Sequence, residues 1–375
     1  MLKGKKTALV HYWLVGMRGG EKIVDSLCSM FPDIDIYTLV YDKNKINDNI
    51  NSKKIQTSFI QKMPFSRKKH QVYLPFMPVA VEQFDLSEYD IVISSESGIA
   101  KGVLTKPETC HICYCHTPMR YLWNMYFDYL KNEKPGFFKR VFIRVFFNYL
   151  RVWDLATASR VDYFISNSDN VRKRILKYYK RDAEVIYPPV PVNDFKFSEK
   201  KEDFYLVVSQ LVSYKRIDLV VDAFGRLGKN LVIIGDGAER KNLEKKAAKN
   251  IKFLGWQEDS ILKDHYSRAR ALIFPGEEDF GITPVEAQAS GTPVIGLGRG
   301  GLLETVIDGK TGILFYSQDT ESLIEAIKKF EDMENSFDRP AIRKNSERFD
   351  VSVFKKKMES FISEKYTEHC NKYGL

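Results

Sequence analysis

Short apolar, β-rich runs recur along the whole chain with longer amphipathic stretches between them, and this alternation restricts the fold more than any other feature. The runs fall at residues 7–10, 91–93, 205–208, 231–234, 271–274 and 293–295. Strands that alternate with helical patterns in this way predict α/β architecture built on parallel sheets. The pattern stops between Tyr187 and Asp203, where Pro188, Pro189 and Pro191 precede a polar, Lys/Glu-rich stretch. Residues 191–203 are therefore read as a hinge. Residues 1–190 and 204–350 then each have the size of one doubly wound, Rossmann-like domain, facing each other across a cleft. Residues 351–375 read as a terminal helix that crosses back to the first domain.

With 375 residues, 44% hydrophobic and 29% charged, the chain can bury two cores, which excludes a disordered or low-complexity protein. No apolar run approaches the roughly 18 residues of a membrane span, and Met1-Leu2-Lys3-Gly4-Lys5-Lys6 lacks the apolar centre of a signal peptide. Five cysteines (Cys28, Cys110, Cys113, Cys115 and Cys370) fit reduced thiols better than a disulfide framework. A cytoplasmic protein is expected. Its charge of +9 is uneven: residues 1–193 hold 29 Lys+Arg against 19 Asp+Glu, and residues 194–375 hold 29 against 30. An anionic partner for the first half follows, either nucleic acid or a membrane surface with anionic lipids. The stretch 131–154 is read as helix-rich, and within it residues 137–153 are basic and aromatic together, which suits either a core helix with solvated arginines or an interfacial surface. Ser66-Arg67-Lys68-Lys69-His70 would add to such a surface or form a solvated loop.

The strongest chemical signal follows the run at 271–274: Pro275-Gly276-Glu277-Glu278-Asp279-Phe280-Gly281-Ile282-Thr283-Pro284-Val285-Glu286-Ala287. A loop at the carboxyl end of a parallel strand is where open α/β sheets bind ligands. Thr283 reads as an N-cap, Pro284 as the first helical residue and Glu286 as the acid of a capping box, which gives Glu286 a structural reading. The functional reading rests on its company. Glu278 precedes it by eight residues, Gly281 allows close backbone approach, and the amides of Phe280, Gly281 and Ile282 can face an anion. Carboxylates suit sugar hydroxyls and helix-start amides suit phosphate, so the combination suits a nucleotide sugar.

Glu278 and Glu286 resemble the E-x7-E signature of the retaining GT-B glycosyltransferases of family 4. Similar pieces extend over nearly the whole chain: Arg18-Gly19-Gly20-Glu21, Tyr114-Cys115-His116-Thr117-Pro118, Ser166-Asn167-Ser168, Lys215 before Arg216-Ile217-Asp218, Gly235-Asp236-Gly237, and Gly300-Gly301 before Glu304. Within the family, His11-Tyr12-Trp13, Gln83-Phe84-Asp85-Leu86 and Tyr187-Pro188-Pro189-Val190 are most similar to the WbaZ-like mannosyltransferases of polysaccharide assembly. The resemblance implies a GT-B enzyme that transfers a hexose, mannose from GDP-mannose, to a glycan acceptor with retention. The acceptor would be linked to a polyprenyl diphosphate at the inner membrane's cytoplasmic face, with no nucleic-acid partner, no metal and no resident cofactor.

Residue by residue, the resemblance implies that Glu278 holds donor-sugar hydroxyls and Glu286 the ribose hydroxyls. Gly19 and Gly20 would let the helix opening at Glu21 approach the donor diphosphate, Lys215 would stabilise the departing diphosphate, and His116 would face the donor sugar near the acceptor. Front-face displacement is the implied mechanism. The chain departs from the family pattern at Gln210, where an arginine is usual, so either Arg216, Arg299 or a metal would supply the second cation, with Arg216 the first candidate, or the site runs with one cation. Two other readings carry less. Residues 110–116 invite a zinc site, but strand alternation sets His111, Cys113 and Cys115 on one face and Cys110 and His116 on the other. Residues 296–301 fit a dinucleotide fingerprint with Asp319 downstream, yet a strand-like run at 311–315 intervenes, and Gly300 and Gly301 read instead as a second loop near the donor. Rival functions are a UDP-sugar transferase, a nucleotide-sugar epimerase or glycan phosphorylase on the same fold, and a non-enzymatic basic scaffold.

Overall fold

The computed structural model describes residues 4–127, 130 and 136–375. Residues 1–3 of the N-terminal segment and residues 131–135 of the stretch read as helix-rich lie outside the described residues. The chain forms two compact units, Met1–Pro189 with Phe354–Leu375, and Val190–Val353.

The first unit holds β1 (Thr7–His11), α1 (Gly19–Met30), β2 (Asp35–Thr38), β3 (Ile55–Thr57), α2 (Met77–Glu82), β4 (Ile91–Glu96), β5 (Cys110–Cys115), α3 (Phe137–Ala158), β6 (Tyr163–Ser166), α4 (Asp169–Tyr179) and β7 (Glu184–Val185). Its seven strands run in the order β3-β2-β1-β4-β5-β6-β7, every pair parallel. Side chains alternate across β1, as a pleated strand requires. Ala8 and Val10 pack with Val92 and with Ile143, Phe147 and Leu150 of α3. Leu9 packs on the opposite layer with Ile23, Val24 and Leu27 of α1. That layer also receives Phe354, Met358 and Ile362 of the terminal helix, so the last residues of the chain complete the first core. Each such fully buried aliphatic contributes roughly 1.5–3 kcal/mol.

The second unit holds β8 (Tyr205–Val208), α5 (Ile217–Leu227), β9 (Leu231–Ile234), β10 (Ile251–Gly255), α6 (Asp259–Arg268), β11 (Leu272–Phe274), α7 (Ile282–Ala289), β12 (Val294–Leu297), β13 (Gly312–Phe315), α8 (Thr320–Met333) and α9 (Arg339–Ser346), and α10 (Val351–Tyr373) begins at its end. Its six strands are ordered β10-β9-β8-β11-β12-β13, again all parallel. Apolar residues of α5 and α8 cover the sheet, Val220, Phe224, Leu323 and Ile327 among them. The stretch 191–203, read above as the hinge, packs on this unit. Val192 and Phe195 are buried, and Lys201 Nζ donates to Ser267 O, Ser290 O and Thr292 Oγ1 at 2.8, 3.1 and 2.8 Å. A polar, proline-rich sequence therefore coexists with a fixed structure because its few apolar residues and one lysine stem find partners.

One polar network is enclosed in the first unit. Lys101 Nζ pairs with Asp154 of α3, and its backbone N–H and Nζ reach Glu96 at the end of β4. Trp123 Nε1 donates to Asp154 at 2.7 Å, and Tyr179 donates to the same carboxylate. All three charged groups are buried, so this network ties α3 to the carboxyl end of the sheet through charges that water cannot replace.

Candidate functional site

In an open α/β sheet, ligands bind beyond the carboxyl ends of the strands where the strand order reverses. Here that point lies between β1 and β4 in the first unit and between β8 and β11 in the second.

In the first unit, β1 ends at His11 and β4 at Glu96, and His116 directly follows β5. A methyl group at Gly20 would lie 3.0 Å from the Tyr12 hydroxyl, 3.4 Å from His11 Cε1 and 3.6 Å from His116 Nε2. The first turn of α1 is thus set directly against these three rings, and Gly20 and His116 share one locality. The helix opens at Gly19, not at Glu21. Arg18 is its N-cap, and the Glu21 carboxylate accepts the Arg18 backbone N–H at 3.1 Å, so the acid at the third helical position closes the cap and both glycines belong to the first turn. Burial raises the Glu21 pKa.

His116 Nε2 lies 2.8 Å from Ser95 Oγ, and burial holds its pKa down to about 4. His11 is fully buried, and burial, with the nearby His116, lowers it to about 3. Both imidazoles are neutral at physiological pH. His111 is bonded to Ser94 Oγ at 2.8 Å and is lowered to about 4, again by burial. Cys113 and Cys115 join the core under α4 and Cys110 the opposite layer. All five thiols are free, and among the described residues no group of His, Cys, Asp or Glu is placed to hold a metal ion.

In the second unit, the loop after β11 passes close to the turn Ser213–Lys215. A methyl group at Gly276 would sit 3.3 Å from Lys215 Cα. The two side chains expected to handle diphosphate and sugar meet there, since Lys215 Nζ pairs with Glu278 Oε1. The helix start differs from the expected cap. α7 begins at Ile282 with Gly281 as N-cap at φ 89°, a left-handed conformation that favours glycine, so Thr283 and Pro284 already lie inside the first turn. Glu286 consequently closes no capping box. It is buried, and its Oε2 accepts the Tyr266 hydroxyl at 2.9 Å.

Gly300 and Gly301 lie against the same loop. Glu278 and Gly300 form a parallel bridge, Gly301 N–H donates to Glu278 O at 2.9 Å, and a methyl at Gly301 would fall 2.3 Å from Phe280 Cα. These glycines shape the loop by letting two backbones touch. The Phe280 ring is buried 5.4 Å from that of Phe349. Asp319 caps α8 by accepting Ser322 N–H at 2.8 Å, which gives the residue of the dinucleotide reading a structural place. Arg216 is directed to Asp218 at 3.1 and 3.2 Å, and Arg299 donates to Tyr316 O at 3.0 Å, while Gln210 is exposed. Both arginines considered as replacements are thus engaged locally.

Sequence reasoning did not place His11, Tyr12, Ser95 or Tyr266 in the sites. His11 was detectable as the last residue of a strand that precedes a helix. Tyr266 had no local signal, because only packing of α6 beside α7 brings it to Glu286.

The model described as "Glycosyl transferases group 1" matches residues 192–349, and that of "Glycosyltransferase Family 4" matches residues 23–194. An uncharacterised glycosyltransferase of Methanocaldococcus jannaschii is 26% identical over 85% of each chain. The O-antigen chain mannosyltransferase RfbU of Salmonella typhimurium is 26% identical over 68% of this chain and 73% of its own. Among solved structures, Anabaena HepE in complex with UDP superposes with a TM-score of 0.69 at 15% identity, covering 96% of this chain and all of its own. With both family models matched and the fold shared, this chain belongs to the family 4, group 1 glycosyltransferases and is a retaining glycosyltransferase of GT-B fold.

Proposed function

We propose that the protein transfers a hexose, mannose from GDP-mannose, to a lipid-linked or growing glycan in cell-surface polysaccharide assembly. The observation that carries this reading is the Lys215–Glu278 pair beside the start of α7, with Glu286 oriented by Tyr266. It combines a cation for diphosphate with two carboxylates for vicinal diols. Donor binding exchanges the ion pair for new contacts: Glu278 accepts from sugar hydroxyls, Glu286 from the ribose, and Lys215 stabilises charge as the bond to phosphate breaks. The amides of Phe280, Gly281 and Ile282, with the Gly300-Gly301 turn, complete the donor loop. In the first unit the Gly19-Gly20 helix start serves the diphosphate, and neutral His116 hydrogen-bonds the sugar near the acceptor. Mannose is favoured by the likeness to RfbU. A UDP-sugar is the second reading, since a chain of the same fold holds UDP. The basic first unit meets an anionic membrane surface, the cytoplasmic face on which a polyprenyl-diphosphate-linked acceptor would reside.

The test is thermal stabilisation by a panel of nucleotides and nucleotide sugars, wild type against Glu286→Ala. A ligand at about 100 times its dissociation constant adds about 2.7 kcal/mol. GDP or GDP-mannose should stabilise the wild type alone. A shift with UDP compounds only would overturn the mannosyl assignment, and none with any nucleotide would overturn the donor site.

A further inference from the structure

The helix α3 buries one face and leaves another uncovered. Ile143, Phe147, Leu150 and Asp154 lie in the interior, whereas Val141, Phe142, Val145, Tyr149 and Val152 are 45%, 60%, 67%, 54% and 62% exposed. At about 100° per residue these five fall on one arc of the helix, opposite the buried set. Arg144 borders the arc on one side and Arg140 lies one turn before it in the same row, both exposed. Nearby Phe127, 73% exposed, is stacked edge-on against Tyr126, which packs towards Phe147. A row of large apolar side chains on a helix that is otherwise fully amphipathic is an interaction surface, not a scatter of exposed residues.

A second apolar edge belongs to the same core. Phe65, Val72, Phe76 and Val79 are exposed on the segment that leads into α2, while Met77, Ala80 and Val81 beside them are buried together with Ile143 and Phe147. Trp153 Nε1 donates to Glu82 at 3.2 Å, which fixes the end of α2 beside α3. The charges of both pieces have one sign. Residues 59–81 contain Lys62, Arg67, Lys68 and Lys69, residues 136–153 contain Lys139, Arg140, Arg144 and Arg151, and neither stretch contains an acid.

We infer that the outward arc of α3, extended by the exposed residues of 65–79, is a docking surface for an anionic lipid interface. It deepens the membrane-partner reading given above and rests on that reading, but not on the identity of the donor. Apolar side chains in the centre with basic groups along one border suit insertion among acyl chains beneath anionic headgroups. Nucleic acid would require the cations at the centre of contact, where the arc has none. A second copy of the same face would set two surfaces of net positive charge against each other.

The test is co-sedimentation of the full chain with vesicles of phosphatidylcholine alone and of phosphatidylcholine with about one-third phosphatidylglycerol. The wild type should bind the mixed vesicles and lose binding as salt is raised. Val145→Glu with Tyr149→Glu should lower the bound fraction about tenfold, while Arg140→Gln with Arg144→Gln should weaken binding to the mixed vesicles alone. Because these residues are exposed, each variant should keep the wild-type melting temperature and nucleotide shift. Should the glutamate pair prevent folding, Phe142→Trp supplies an independent reading: its emission should shift to the blue with anionic vesicles only. Wild-type binding unaffected by the glutamate pair, or an unmoved Trp emission, overturns the arc and leaves the membrane partner standing. No wild-type binding to either vesicle overturns both. A dimer that the glutamate pair dissociates, with no vesicle binding, assigns the face to a second copy instead.

Discussion

The two units share one doubly wound plan, yet they furnish the carboxyl ends of their strands with opposite chemistry. The first places neutral imidazoles there, the buried His11 and the partly buried His116, against a glycine-started helix. The second places charged groups, Lys215 and Glu278, in a partly buried turn, paired with each other, while Glu286 is buried and bonded to Tyr266. The contrast shows that the fold supplies only the location, and that burial decides which form of a side chain can be stationed there. Shielded positions without a countercharge hold hydrogen-bonding groups with suppressed charge, and paired ones keep their ions.

The sharpest break of this comparison targets the buried Lys101 network of the first unit. Lys101→Met leaves Glu96 and Asp154 enclosed without their cation and should cost about 3–5 kcal/mol, read as denaturant unfolding of the first unit. Lys215→Ala should do the reverse: a smaller stability change of about 1–2 kcal/mol, because the pair is only partly buried, and a loss of about 10²–10³-fold in transfer rate. Equal effects of the two substitutions on stability would remove the distinction between the units.

Acid provides the next test. His11, His111 and His116 have folded pKa values below the ordinary value of about 6.5, so between about 6.5 and 4 the unfolded chain binds protons that the folded chain does not. Stability is therefore lost as pH falls through that window, by about 3 kcal/mol per histidine of this shift. The second unit contains one histidine, His265, partly buried and bonded to Ile261 O, and none of these three, so calorimetry at pH 7 and pH 5 should show the first unit's transition moving more than the second's. Parallel movement of both would break the assignment.

The smallest effects separate the glycines. Gly301→Ala meets the Phe280 backbone and should destabilise by about 1–3 kcal/mol. Gly20→Ala meets only side-chain atoms, the Tyr12 hydroxyl closely and the His11 and His116 rings at ordinary contact, and should leave melting within about 1 kcal/mol while lowering donor affinity about tenfold.

Much of this was legible in the chain because it is local. The runs at 7–10, 205–208 and 271–274 became strands since several consecutive apolar residues can be buried only in a sheet covered on both faces. Glu278, Glu286 and Lys215 were found from spacing and resemblance, and the structure brings Lys215 to Glu278. Other features escaped local reading. The caps at Gly281 and Arg18 shifted from their expected places because a glycine in the left-handed region and an acid at the third helical position compete well with a threonine or a bare Gly-Gly turn. The stretch 191–203 looks like a linker in composition and is held by three hydrogen bonds to one lysine.

By itself, then, the sequence determined the class of fold, the division into two α/β halves and the residue types at the second unit's strand ends, all of which follow from periodicity and short-range spacing. Tertiary structure alone decided that Tyr266 orients Glu286, that Ser95 engages His116, that Asp154 answers Lys101 from 53 residues away, and which arc of α3 stays uncovered. Those pairings join residues far apart in the chain, and their charge states depend on how deeply the folded core removes them from water, a quantity that no local pattern contains.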